Sequence, residues 1–183
     1  MKNTHIVMLL VSVILFACGG SGGAATESEG NTDLPKNSIA ASLSNSSWEK
    51  ECSSYNKLAL NGSNTAWNVK TTLSIDSSLK AKYKTTYFRP TDTTCDSMIF
   101  DTIDISNLEI KGKTISDESI EAYHLNETFT YNSEDDLPPN YTLIYLNSER
   151  LYFGQSSGEN LGESEDKRHS SIVLDDYFTQ IIK

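Results

Sequence analysis

Polar and apolar residues alternate along much of the chain beyond residue 46. Trp67, Val69, Thr71, Leu73 and Ile75 fall on every second position. So do Leu79, Ala81, Tyr83, Thr85 and Tyr87, with Lys80, Lys82 and Lys84 between them. A period of two marks a strand with one buried and one wet face. Asp76-Ser77-Ser78 joins the two runs with residues suited to a hairpin turn. Tyr141 to Leu146 and Leu151 to Phe153 predict a second hairpin, connected through Asn147-Ser148-Glu149-Arg150. Shorter strands are expected over Ser47 to Ser53, Met98 to Ile105, Leu108 to Ile115, Ile120 to His124 and Thr128 to Tyr131. Pro138-Pro139-Asn140 breaks the chain ahead of the second hairpin. Helical periodicity is poor. The best segment for it is a turn or two over Asp175 to Ile181, where Tyr177, Phe178 and Ile181 would cover one end of the core. About eight short strands with local turns predict a mainly β domain over residues 46–183, a small antiparallel barrel or sandwich. Lys80, Lys82 and Lys84 would line a solvated face at a sheet edge, where positive charge discourages strand addition; anion binding is the sharper alternative.

The first residues follow a different pattern. Lys2 supplies a positive start, and Ile6 to Phe16 is an apolar run of about 11 residues interrupted by Ser12. A membrane-spanning helix needs about 20, so a secretory signal fits better than an anchor. The run closes on Leu15-Phe16-Ala17-Cys18, which resembles a lipobox, and an ordinary signal would not need the cysteine. The resemblance implies a signal peptide over residues 1–17, diacylglycerol on the Cys18 thiol and acylation of the new N-terminus. More than one acyl chain gives stable attachment, at about 0.8 kcal/mol per buried methylene. Gly19 and Gly20 follow, with no aspartate beside the cysteine; the resemblance to enterobacterial sorting implies the outer membrane. Residues 18–45 are then the lipidated cysteine and a disordered tether. They are rich in Gly, Ser, Ala, Thr, Asn and Glu, a composition that buries too little surface to offset ordering entropy.

Composition narrows the function classes. The formal net charge is −10, and losing Lys2 makes the mature chain slightly more negative. Such a surface does not seek nucleic acid or anionic headgroups. Residues 46–183 amount to one domain with one core. With Cys18 lipidated, Cys52 and Cys95 remain as a pair in an oxidising compartment. A bridge across about 43 residues would contribute at most roughly 4 kcal/mol by chain-entropy reasoning. Two free thiols or a metal pair is the alternative, without further cysteines or a neighbouring histidine to support it.

Catalytic and metal motifs are sparse. Gly154-Gln155-Ser156-Ser157-Gly158 matches G-x-S-x-G, but a nucleophile elbow needs a helix next, and Glu159 to Arg168 has no apolar helical face. His169 and Asp175 also follow in the wrong order. The mature chain's two histidines, His124 and His169, lie far apart and outside any zinc-like spacing. The acidic runs, such as Glu134-Asp135-Asp136, lack the alternating ligands and turn glycine of a calcium loop. No cofactor, metal or catalytic residue is therefore expected.

Trp48 stands four residues before Cys52 on the first expected strand. A tryptophan there looks like the lipocalin arrangement, with Ser46-Ser47-Trp48 in place of the usual G-x-W. Leu151-Tyr152-Phe153-Gly154 followed by Lys167 to Leu174 is similar to the ending of uncharacterised gammaproteobacterial lipoproteins. The resemblance implies a lipocalin-like fold and no established activity. The expected function is non-enzymatic: membrane attachment through Cys18, with the β domain carrying an apolar small molecule or contacting an envelope protein. A small envelope hydrolase is the alternative. Trp48, Trp67, Tyr83 and Tyr87, with Tyr145 and Phe153, are the rings expected to face inward. They would either line a ligand cavity or simply fill the core.

Overall fold

The two alternating runs do form a hairpin. In a computed structural model, which describes residues 38–58, 64–132, 137–155 and 160–182, β2 (Asn64–Ile75) and β3 (Lys80–Phe88) pair antiparallel. Asp76 organises the turn: its carboxylate accepts from the backbone N–H groups of Ser78 and Lys80 at 2.8 and 3.0 Å. Leu79 closes the turn with φ +61°, a left-handed value uncommon in a non-glycine residue.

β1 (Ser46–Leu58) lies beside β2, and β4 (Met98–Ile115), β5 (Glu121–Asn132), β6 (Asn140–Asn147) and β7 (Arg150–Gln155) continue as a meander. Near the C-terminus come β8 (Ser171–Ile172) and β9 (Phe178–Gln180). The sheet order is β6-β5-β4-β3-β2-β1-β9-β7, and β6 also pairs with β7. That last pairing closes an eight-stranded antiparallel barrel, with β8 adding a short ladder on β7. The domain is thus a barrel and not a sandwich.

Four expectations need correction. Residues 38–45 belong to the folded unit and not to the tether. α1 (Ile39–Leu43) is capped by the Ser38 hydroxyl, and Ala40 and Leu43 are buried. Asp175 to Ile181 is not helical: it supplies β9, which bridges β1 and β7. The short helical turn near the C-terminus is instead a 3-10 turn at Glu165–Lys167. The two strands expected on either side of Ser106 are one, as are the two expected around Leu125, because polar residues (Asp104 and Ser106 on β4, Glu127 on β5) hold inward positions and interrupt the apolar alternation. Finally, the lysine-bearing strand β3 is no edge, for it is paired on both sides by β2 and β4; Lys84 forms an ion pair with Asp101 at 2.7 Å.

The inner face reads as layers of cross-strand neighbours. Ser46, Ile75, Ala81 and Ser106 form one layer, and Trp48, Leu73, Tyr83 and Asp104 the next. With Leu43, Leu108, Leu125, Ile144 and Leu151 the apolar members make the main core. Leu43 brings α1 against this end of the barrel and plugs it. A smaller cluster of Ala122, Leu143, Tyr152 and Ile172 lies on the outer face, and Tyr145 packs there, not inside.

Candidate functional site: the barrel mouth

Above the core the inner face changes character. The third layer is Lys50, Thr71, Thr85 and Thr102, and the fourth is Ser53, Val69, Tyr87 and Phe100. Tyr55 pairs with Trp67 one step further out. A cavity of about 440 Å³ occupies this half of the barrel. Its polar walls are Lys50, Glu51, Ser53, Ser54, Thr71, Thr85, Thr102 and Asp104; its apolar walls are Tyr55, Val69, Tyr87 and Leu137. The volume lies within the range of small-ligand pockets.

The rings at the mouth hold one another. Tyr87 and Phe100 stack at 4.5 Å between centroids, and Trp67 meets Phe100 edge-on at 5.4 Å and Tyr87 at 6.1 Å. Tyr55 approaches Tyr87 edge-on at 6.3 Å. Cys52 of β1 is bonded to Cys95, which ties this end of β1 to the connection between β3 and β4.

The charges are largely accounted for. Lys50 makes an ion pair with Asp176 and lies 5.9 Å from the centroid of the Phe178 ring. Thr71 and Thr85 share a hydroxyl hydrogen bond of 3.3 Å. Below the cavity, Glu127 is 4% exposed. The Ser106 hydroxyl donates to it at 2.7 Å and the Asn140 amide at 3.3 Å. Burial pushes the Glu127 carboxyl above its ordinary value; bonds from Ser106, Tyr83 and Asn140 pull the other way, and nearby Asp104 adds to the rise. Burial, with the Glu127 charge beside it, drives the Tyr83 hydroxyl well above the ordinary tyrosine range.

Of the four rings expected to face a ligand, Tyr87 lines the cavity and Trp67 supports it from the rim. Trp48 does not: it is 1% exposed in the core, its indole N–H donating to the Ser46 hydroxyl at 2.7 Å. Tyr83 lies one layer beneath the threonines, held to Glu127. Phe153 packs on the core. Cys18 lies outside the described residues.

No family model matches this chain, and no curated protein or solved structure is significantly similar to it.

Several other residues singled out in the sequence have structural partners. Of G-x-S-x-G only Gly154 and Gln155 are described, and Ser156 lies outside the described residues. Gly154 is there for space, since a Cβ would sit 2.8 Å from the Leu143 nitrogen. His169 Nδ1 lies 3.0 Å from the Thr142 hydroxyl and donates to the Gly154 carbonyl at 3.0 Å. The fold does bring His169 and His124 to one small cleft of about 150 Å³, together with Glu165 and Arg168. Arg168 there donates to the carbonyls of Leu125 and Thr142 at 2.6 and 3.0 Å and fastens its segment to β5 and β6. Among the described residues no three metal-ligating side chains converge.

Sequence reasoning missed Glu127 and the threonine layer. Thr71 and Thr85 stood on the apolar phase of their strands, which was a usable signal for inward hydroxyls. Glu127 shares its face with Leu125, but the segment was split into two short strands, so its phase was lost.

Proposed function

We propose that this protein is a lipid-anchored component of the bacterial cell envelope, held at the outer membrane through Cys18, that binds a small molecule in its barrel mouth without transforming it. The observation that carries the reading is the cavity: one half of the barrel is filled and plugged, the other is a chamber of about 440 Å³ with mixed aromatic and hydroxyl walls. A barrel interior of this kind suits retention of one small ligand. The Leu15 to Cys18 sequence supports the anchorage. α1 leads into β1 at the plugged end, opposite the mouth.

Gentle detergent extraction followed by mass spectrometry of the folded protein tests this. A stoichiometric small molecule should accompany the wild type and be depleted from Tyr87→Ala. A protein that retains nothing and instead captures one envelope protein would replace the carrier with an adaptor. Labelling of Ser156 by a fluorophosphonate would move the reading to a hydrolase.

A further inference from the structure

Resting on the carrier reading, we propose that the mouth takes an amphipathic ligand polar end first, and that this end is a neutral polyhydroxylated group such as a sugar ring. The order of the layers carries it. An apolar tail pushed to the cavity floor would strip water from the hydroxyls of Thr71, Thr85 and Thr102 and return no hydrogen bond, a loss for every polar group so covered. It could go no deeper, because Trp48, Leu73 and Leu43 fill the next layers. The apolar walls lie further out, at Val69, Tyr87 and Tyr55, with Ser53 and Ser54 of β1 on one side of them. A ligand with its hydroxyls on the threonines and its apolar part against the rings satisfies both zones.

Charge selects the head. Lys50 is ion-paired with Asp176, so the floor offers an incoming anion no uncompensated cation, while the Glu51 carboxylate in the wall disfavours it. Threonine hydroxyls both donate and accept. Three of them at one level of adjacent strands match a ring of hydroxyls better than they match an ammonium, which only donates.

Four hexyl compounds with different heads provide the test: hexyl β-glucoside, hexanol, hexanoate and hexylammonium. Each is titrated calorimetrically into the acylated full-length mature protein in phosphatidylcholine nanodiscs, with empty discs subtracted. The glucoside should bind at least tenfold more tightly than hexanoate and the ammonium. Thr85→Val and Thr102→Val should each weaken the glucoside roughly fivefold, as loss of a hydrogen bond to the head requires, and weaken hexanol, with its single hydroxyl, by less. Tyr87→Ala should weaken all members together. Equal affinity for all four heads, preference for either ion, or an unchanged glucoside affinity in both valine variants would overturn the polar-first assignment while leaving the carrier intact. No binding by any member, in protein that also co-purifies with nothing, would remove the carrier reading itself.

Discussion

Glu127 is the one charged side-chain type found buried among the described residues, and its surroundings make stability depend on pH. Its carboxyl is raised in the folded state by burial, while the unfolded chain gives it an ordinary value. Below the unfolded value both states hold the proton, and the residue's contribution is fully present. As pH rises from there through the folded value, the unfolded state ionises first and stability falls. Glu127→Gln keeps an acceptor for Ser106 and Tyr83 and removes the titration. The melting temperatures of variant and wild type should therefore coincide near pH 4 and diverge, the variant higher, as pH rises to 8. Parallel curves would show that the carboxyl does not titrate in this range. Glu127 was hidden in the sequence, where an acidic residue flanked by threonine and asparagine reads as solvated. Trp48 was half legible. Its inward direction followed from the alternation, but whether an inward ring meets a ligand or other side chains depends on its depth, which one strand alone does not record. Ser46, standing where the lipocalin signature has glycine, acquires its meaning only in three dimensions, as the acceptor for the Trp48 indole and a donor to the Leu43 carbonyl.

Elements were legible wherever a strand keeps its phase. β2, β3, β6 and β7 follow unbroken alternation, and their hairpins are as expected. β4 and β5 carry polar residues at inward positions, Asp104 and Ser106 on the one and Glu127 on the other, so the apolar alternation breaks and one long strand reads as two short ones. β9 was mistaken for a helical turn because Tyr177, Phe178 and Ile181 have helical spacing. Tertiary context decides the matter: Phe178 is paired with Leu151 and Gln180 with Trp48, which places the segment in the gap between β1 and β7. α1 was read as tether since five residues hold too few apolar positions to show a period. Its worth lies in Leu43, which has no exposed surface and contacts the core. Leu43→Ala should cost about 2–5 kcal/mol in urea unfolding, the range for truncating a buried leucine. An effect below 1 kcal/mol, roughly that of a surface change, would mean that the helix does not seal the barrel.

At the scale of the whole molecule, closure and anchorage are separate matters. Closure was not readable from strand count, since a sandwich and a barrel use the same strands; it depends on β9 and on the β6–β7 pairing, both made late in the chain. The proposed anchorage rests on the first residues. Labelled palmitate should enter the wild type and not Cys18→Ala, and equal incorporation would remove the lipid from the proposal. For the proposed carrier, the plug at one end of the barrel has a kinetic consequence. A vessel with a single opening cannot be flushed. A second molecule has no rear passage by which to displace the first, so exchange must wait for spontaneous departure. The rate at which one occupant replaces another is then set by the leaving step alone and becomes independent of the newcomer's concentration. A protein built this way can retain a cargo in a crowd of competitors and release it on a timescale of its own.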